Sequence, residues 1–174
     1  MRSIVLHWTA HDYRSVFASY HFCIGLRGEE GPLAIACTDL RANMRDVRLE
    51  GAPYAAHTRG RNSYAIGLSI CAMEDATPRD FGRYPLREDF IDVACATAAE
   101  LCSYYGIPID ERHVYTHAEA ALEDGYFGSG EDERWDIARL TPSNEPLQPE
   151  DARRTGEELR RRVRLASSRG ADSR

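Results

Sequence analysis

The chain has 174 residues, a formal net charge of −6 and an isoelectric point near 5.5; it is the size of one domain with room for a sizeable core, and its charge has the wrong sign for a protein that grips nucleic-acid phosphates. All 22 basic residues are arginine, so any role normally given to lysine falls to an always-charged planar fork. No stretch has the apolar length of a membrane span, and Met1-Arg2-Ser3 runs into a strand-like segment without the apolar region and cleavage site of a signal peptide, so the expectation is a chain made in the cytoplasm with no integral membrane segment.

In chain order, residues 3–7 read as a strand whose apolar run Ile4-Val5-Leu6 ends at His7. His11 to Ser19 is a short connection, and residues 20–26 are a second strand. A turn at Gly28 to Pro32 leads to its hairpin partner, Leu33 to Cys37. Residues 64–71 form another strand, in which Gly67 signals a bulge or a close backbone approach. The clearest helix spans about Arg87 to Tyr105: Phe90, Ile91, Ala94, Ala98, Leu101 and Cys102 recur at helical spacing, and Gly106 with Pro108 stops it. His113 to His117 is the next strand, followed by a Gly- and acid-rich loop from Leu122 to Glu133.

The last helix covers residues 149–166, with Ala152, Gly156, Leu159, Val163 and Ala166 along one stripe that docks on the domain. Its other face offers Glu150 to Arg154, Glu157 to Arg161 and Glu158 to Arg162 as i, i+4 pairs, and the arginines at 160–164 read as a solvated face. The domain is expected to span 1–166, with a disordered tail at 167–174. Alternating strands and helices predict an α/β fold, a single domain with a central mixed β-sheet flanked by helices and a site at the strand ends.

The five cysteines form no Cys-x-x-Cys pair. Cys95 and Cys102 share a helix face, and Cys23, Cys37 and Cys71 lie in strand-like runs, as buried reduced thiols would. A cysteine nucleophile paired with histidine therefore finds little support. His7 and His117, each at the end of a β-rich apolar run, and Asp136 in a loop-like context beside Trp135 could close three sides of a zinc site. Two neutral imidazoles and one carboxylate leave a fourth position for water, the arrangement of a hydrolytic rather than a structural centre.

Ile4-Val5-Leu6-His7-Trp8-Thr9-Ala10, Tyr20-His21-Phe22, His57-Thr58-Arg59-Gly60-Arg61-Asn62, Ile66-Gly67 and Thr116-His117, in that order, resemble the zinc-dependent N-acetylmuramoyl-L-alanine amidases. That family also includes phage lysozyme-type amidases and peptidoglycan recognition proteins. The resemblance spans roughly residues 3–140 and implies a central mixed sheet flanked by helices, with Zn²⁺ held by His7, His117 and Asp136. It also implies that Arg134, in the position of a family lysine, and Tyr20, which matches a metal-facing tyrosine, assist the oxyanion. His57 and Asn62 would touch the muramyl or peptide part of the substrate, and His21 should face away from Tyr20 by pleat alternation.

Three departures stand out. Ser69 occupies the position of a family Glu, which leaves Glu119 or the zinc-bound hydroxide as candidate bases. The Pro-Gly that usually follows the Asp ligand is replaced by Ile137-Ala138, and the short Thr9 to Tyr20 connection should open the groove. The implied activity is hydrolysis of the amide joining the lactyl group of N-acetylmuramic acid to L-alanine of the stem peptide. With no export segment expected, the setting would be a phage or prophage endolysin or an antibacterial effector that reaches the cell wall or periplasm through a holin or a secretion machine. The alternatives are a cytosolic muropeptide-recycling amidase, a non-catalytic peptidoglycan-binding module, and a thiol hydrolase that alkylation would stop.

Overall fold

The computed structural model describes residues 1–45 and 53–172. The apolar runs become five strands: β1 (Ser3–Trp8), β2 (Phe22–Leu26), β3 (Pro32–Ala36), β4 (Ala65–Ile70) and β5 (Val114–Thr116). They form one sheet in the order β3-β2-β4-β1-β5. β1 runs parallel to both β4 and β5, β4 runs parallel to β2, and the β2–β3 hairpin is antiparallel. The sheet is thus mixed, as expected. Its central strands β1 and β4 are buried along almost their whole length, which explains why they read as continuous apolar runs rather than alternating ones.

Pleating divides β1 between two faces. Ile4, Leu6 and Trp8 enter the main core with Phe90, Ile91, Ala94, Ala98 and Cys102 of α1 (Glu88–Tyr105) and with Leu159 and Val163 of α3 (Pro149–Asp172). Val5 instead packs with Ala65, Tyr115 and Ala120, and His7 shares that second face. α1 ends as its sequence indicates: Gly106 takes the left-handed conformation, and its N–H closes on the Cys102 carbonyl. The cysteines are free thiols, and burial pushes Cys95 up to about 12 and Cys102 up to about 11, which keeps both protonated and unreactive. Among the described residues no helix is long and apolar enough to cross a membrane.

Two elements depart from the sequence expectations. The 113–117 strand stops at Thr116, and His117 opens a helix, α2 (His117–Glu123). Thr116 and Glu119 form a reciprocal capping box, each side chain accepting from the other's backbone N–H, and this local chemistry ends the strand. α3 runs to Asp172 rather than stopping at Ala166, so 167–172 continue the helix where a disordered tail was expected; residues 173–174 lie outside the described residues.

The ion pairs on α3 also differ from the expected ladder. Of the three expected i, i+4 pairs, Glu158 to Arg162 forms, whereas Glu150 pairs with Arg153, and Glu157 with Arg160 and Arg164. Arg160 is not on a solvated face. It is 4% exposed and donates to both Glu119 carboxylate oxygens and to the Val114 carbonyl, clamping α3 to β5 and α2.

Candidate metal centre

His7 is fully buried in β1, in register with Ser69 of β4. His117 reaches the same place from the first turn of α2. The loop carrying Asp136 is fixed on several sides: its carbonyl accepts from the Ala118 N–H at 3.0 Å, the Trp135 ring meets the Trp8 ring edge-on at 4.5 Å, and Ile137 holds a left-handed turn at φ 59°. The result is a convergence of three chain-distant groups. His7 Nδ1 lies 3.2 Å and His117 Nδ1 2.9 Å from the same oxygen, Asp136 Oδ2.

Burial, partly offset by the hydrogen bond to Asp136, lowers the His7 pKa to about 4, so at neutral pH this imidazole is uncharged. Burial pushes the Asp136 carboxyl upward, but His117 and His7 outweigh it and hold the group well below the usual carboxylate range. A neutral imidazole and an ionised carboxylate are the protonation states that metal ligands require. The three ligand atoms all lie within 4.8 Å of one another, and two imidazoles with one carboxylate are a donor set that could hold a metal ion, with a chemistry that suits zinc.

Around this centre the other expected residues take different positions. The Tyr20 ring tilts against His7 at 5.2 Å, and its hydroxyl donates to the Trp8 carbonyl at 3.3 Å. Burial, with the Asp136 charge added, raises its pKa, so the phenol stays a proton donor. Arg134 is exposed and donates to the Glu133 carbonyl at 2.6 Å. It lines a cleft of about 340 Å³ together with His57, Thr58, Arg59, Asn62, His117, Tyr126 and Asp132.

Asn62 serves the loop itself: Oδ1 accepts from the backbone N–H groups of His57 at 3.0 Å and Thr58 at 2.8 Å. His57 is only 7% exposed and packs behind His7, its Nδ1 3.3 Å from His7 Nε2. A Cβ added at Gly67 would come within 2.6 Å of the His57 ring. The glycine on β4 thus marks a close approach, by a side chain. His21 lies behind His57 in turn, ring centres 5.8 Å apart, and accepts the Gly67 N–H at 2.9 Å.

At the position of the family Glu, Ser69 is buried, and its hydroxyl has no hydrogen-bond partner among the described residues. Glu119 is taken up by the Thr116 N–H and Arg160 and is not available to the centre. His11 lies against Phe17 and His113 bonds Asp110. Three residues near the centre have no role assigned from sequence: Thr58, whose hydroxyl touches both His7 and His57; Tyr126, edge-on to His117 at 6.0 Å with a buried hydroxyl; and Arg59, 5.7 Å above the Tyr126 ring. Thr58 adjoins His57 in the same motif, which was a usable signal. Tyr126 sits in a Gly-rich loop with no periodicity to expose it.

No curated protein matches the chain. Solved structures that resemble it include a mutant of PlyL, with 15% identity, a TM-score of 0.44, and coverage of 94% of this chain and 84% of that one. Another is the N-acetylmuramyl-L-alanine amidase AmiD from E. coli in complex with its substrate anhydro-N-acetylmuramic acid-L-Ala-D-γ-Glu-L-Lys, with 17% identity, a TM-score of 0.43, and coverage of 68% of this chain and 49% of that one. The profile of the family described as N-acetylmuramoyl-L-alanine amidase matches residues 1–134, a span that includes His7 and His117 and ends just short of Asp136. The chain belongs to the N-acetylmuramoyl-L-alanine amidase family.

Proposed function

We propose that this chain is a zinc-dependent peptidoglycan hydrolase that cleaves the amide between the lactyl group of N-acetylmuramic acid and L-alanine of the stem peptide. The observation that carries the proposal is the meeting of His7 Nδ1 and His117 Nδ1 on one Asp136 oxygen beside an open cleft. His7, His117 and Asp136 would hold the ion. When bound, zinc supplies Lewis acidity toward a carbonyl and makes water a stronger nucleophile near neutral pH.

The chain's own residues do the rest. Arg134, at the cleft edge, places a permanent positive charge where negative charge develops on the carbonyl oxygen. Tyr20 keeps its proton, and its long bond to the Trp8 carbonyl is the contact it exchanges for a substrate oxygen. Arg59 and Arg134 together give the lip two cations suited to the carboxylates of a stem peptide. Asn62 contributes by holding the His57-Thr58 turn, and His57 by backing His7.

The proposed setting is the bacterial wall, with delivery as a phage or prophage endolysin or a secreted effector through a holin or a secretion machine. Ser69 in place of a carboxylate base favours one second reading, a binding module that has lost catalysis. Digestion of purified sacculi separates them. Release of free L-alanine amino termini, abolished by chelation and restored by zinc, is the expected result. Wall binding without release in zinc-replete buffer would establish the second reading, and cleavage of soluble anhydro-muropeptides but not sacculi would mark a recycling enzyme.

A further inference from the structure

We infer that the Thr58 hydroxyl is a positioning group for the metal centre: by accepting the Nε2 proton of His7 it fixes the tautomer that leaves Nδ1 bare for the ion. This rests on the zinc reading above. Thr58 Oγ1 lies 3.3 Å from His7 Nε2 and 2.8 Å from His57 Nδ1. His7 is fully buried, Thr58 is 2% exposed and His57 7%, so Thr58 Oγ1, His7 Nε2 and His57 Nδ1 must satisfy one another within the protein, while His57 Nε2 has no hydrogen-bond partner among the described residues.

A neutral imidazole carries one proton, on Nδ1 or on Nε2. Without an ion, His7 Nδ1–H donates to Asp136 at 3.2 Å, and the bare Nε2 accepts from the Thr58 O–H. With an ion, Nδ1 must present its lone pair, so the proton sits on Nε2 and needs an acceptor. Thr58 provides it by pointing its hydrogen toward His57 Nδ1 and offering a lone pair to His7. His57 follows in step, donating Nδ1–H to Thr58 in the first state and accepting from it in the second. The Nε2 proton of His7 comes from Thr58, which takes the Nδ1 proton of His57 in exchange; His57 gains a proton at Nε2 in place of the one that His7 loses from Nδ1, so both rings change tautomer and neither changes charge. A hydroxyl can both donate and accept from a single atom, which lets one side chain serve both states.

The surroundings hold this hydroxyl in place. Asn62 Oδ1 clamps the N–H groups of both His57 and Thr58, and Gly67 gives the His57 ring room to lie against the sheet. Partners of this kind orient a metal-binding histidine, and their loss weakens metal affinity by about 10–100-fold.

The test is the zinc dissociation constant of the full chain, measured by competition with a chromophoric chelator, together with nitrogen-15 NMR of the His7 ring. Thr58→Val, similar in shape but without the hydroxyl, should weaken zinc by about 10–100-fold and leave His7 in mixed tautomers. Thr58→Ser should restore both the affinity and the Nε2–H form. Thr58→Ala, which removes the hydroxyl without adding bulk, should repeat the loss if the valine variant does not fold. Zinc bound by the valine or alanine variant as tightly as by the wild type, with the same His7 tautomer, would overturn the inference and pass the acceptor role to His57 Nδ1. A wild-type chain that binds no zinc would overturn the zinc reading on which it stands.

Discussion

Ile4, Leu6 and Trp8 leave β1 on one side and meet α1 and α3 in an apolar core, whereas His7 leaves on the other and meets Asp136, His117, His57 and Thr58. Both faces are buried, but they are held by different means. The apolar face is stabilised by area and shape, so substitutions that keep volume and hydrophobicity should be tolerated. The polar face depends on named partners, and removing one leaves another unsatisfied. A single strand therefore carries both part of the fold's main core and a residue of the proposed metal centre, and substitutions can separate the two.

The largest expected effect is on the polar face: His7→Ala, His117→Ala or Asp136→Ala should each abolish zinc binding and amide cleavage, read by metal analysis and release of amino termini. Arg160→Ala should come next, destabilising by up to about 3 kcal/mol in denaturant unfolding, because it strips the partly buried Glu119 of its charged partner and leaves it the Thr116 N–H alone. Arg134→Ala should retain the metal and lose about 10²–10³ in kcat, which would distinguish a catalytic cation from a structural one.

Acid should act on the polar face as well. The His7 pKa falls from 6.5 to about 4 on folding, chiefly through burial, so the folded protein resists a proton that the unfolded chain accepts. This contribution to the stability of the metal-free protein should be complete above about pH 6.5 and be lost as pH falls toward 4, with Asp136 giving way in the same sense at still lower pH. Melting temperatures across that window check the sign; a melting temperature that rises on acidification would refute it. Smallest of all, Ile4→Val on the apolar face should cost about 1 kcal/mol and leave zinc content unchanged.

The apolar face was readable from sequence because period and length are local signals: the strands at 3–7 and 64–71, the helix at 87–105 and its Gly106 stop all appear close to where expected. The capping box that ends β5 was also written in Thr116-x-x-Glu119, yet the apolar run before it reads as a longer strand. The polar face was only partly legible. The two histidines follow apolar runs, but the packing of His57 behind His7 depends on the absent side chain at Gly67, a tertiary contact that no local pattern encodes. The reach of Arg160 to Glu119 was hidden for the same reason, since charge spacing along α3 predicts neighbours on the helix and not a partner on α2.

The most direct measurement is zinc content per chain, determined on the purified wild type and on Asp136→Ala. About one zinc in the wild type and none in the variant is the expected result. A wild type that carries no zinc in zinc-replete buffer, or an Asp136→Ala variant that stays fully loaded, would contradict the three-ligand centre.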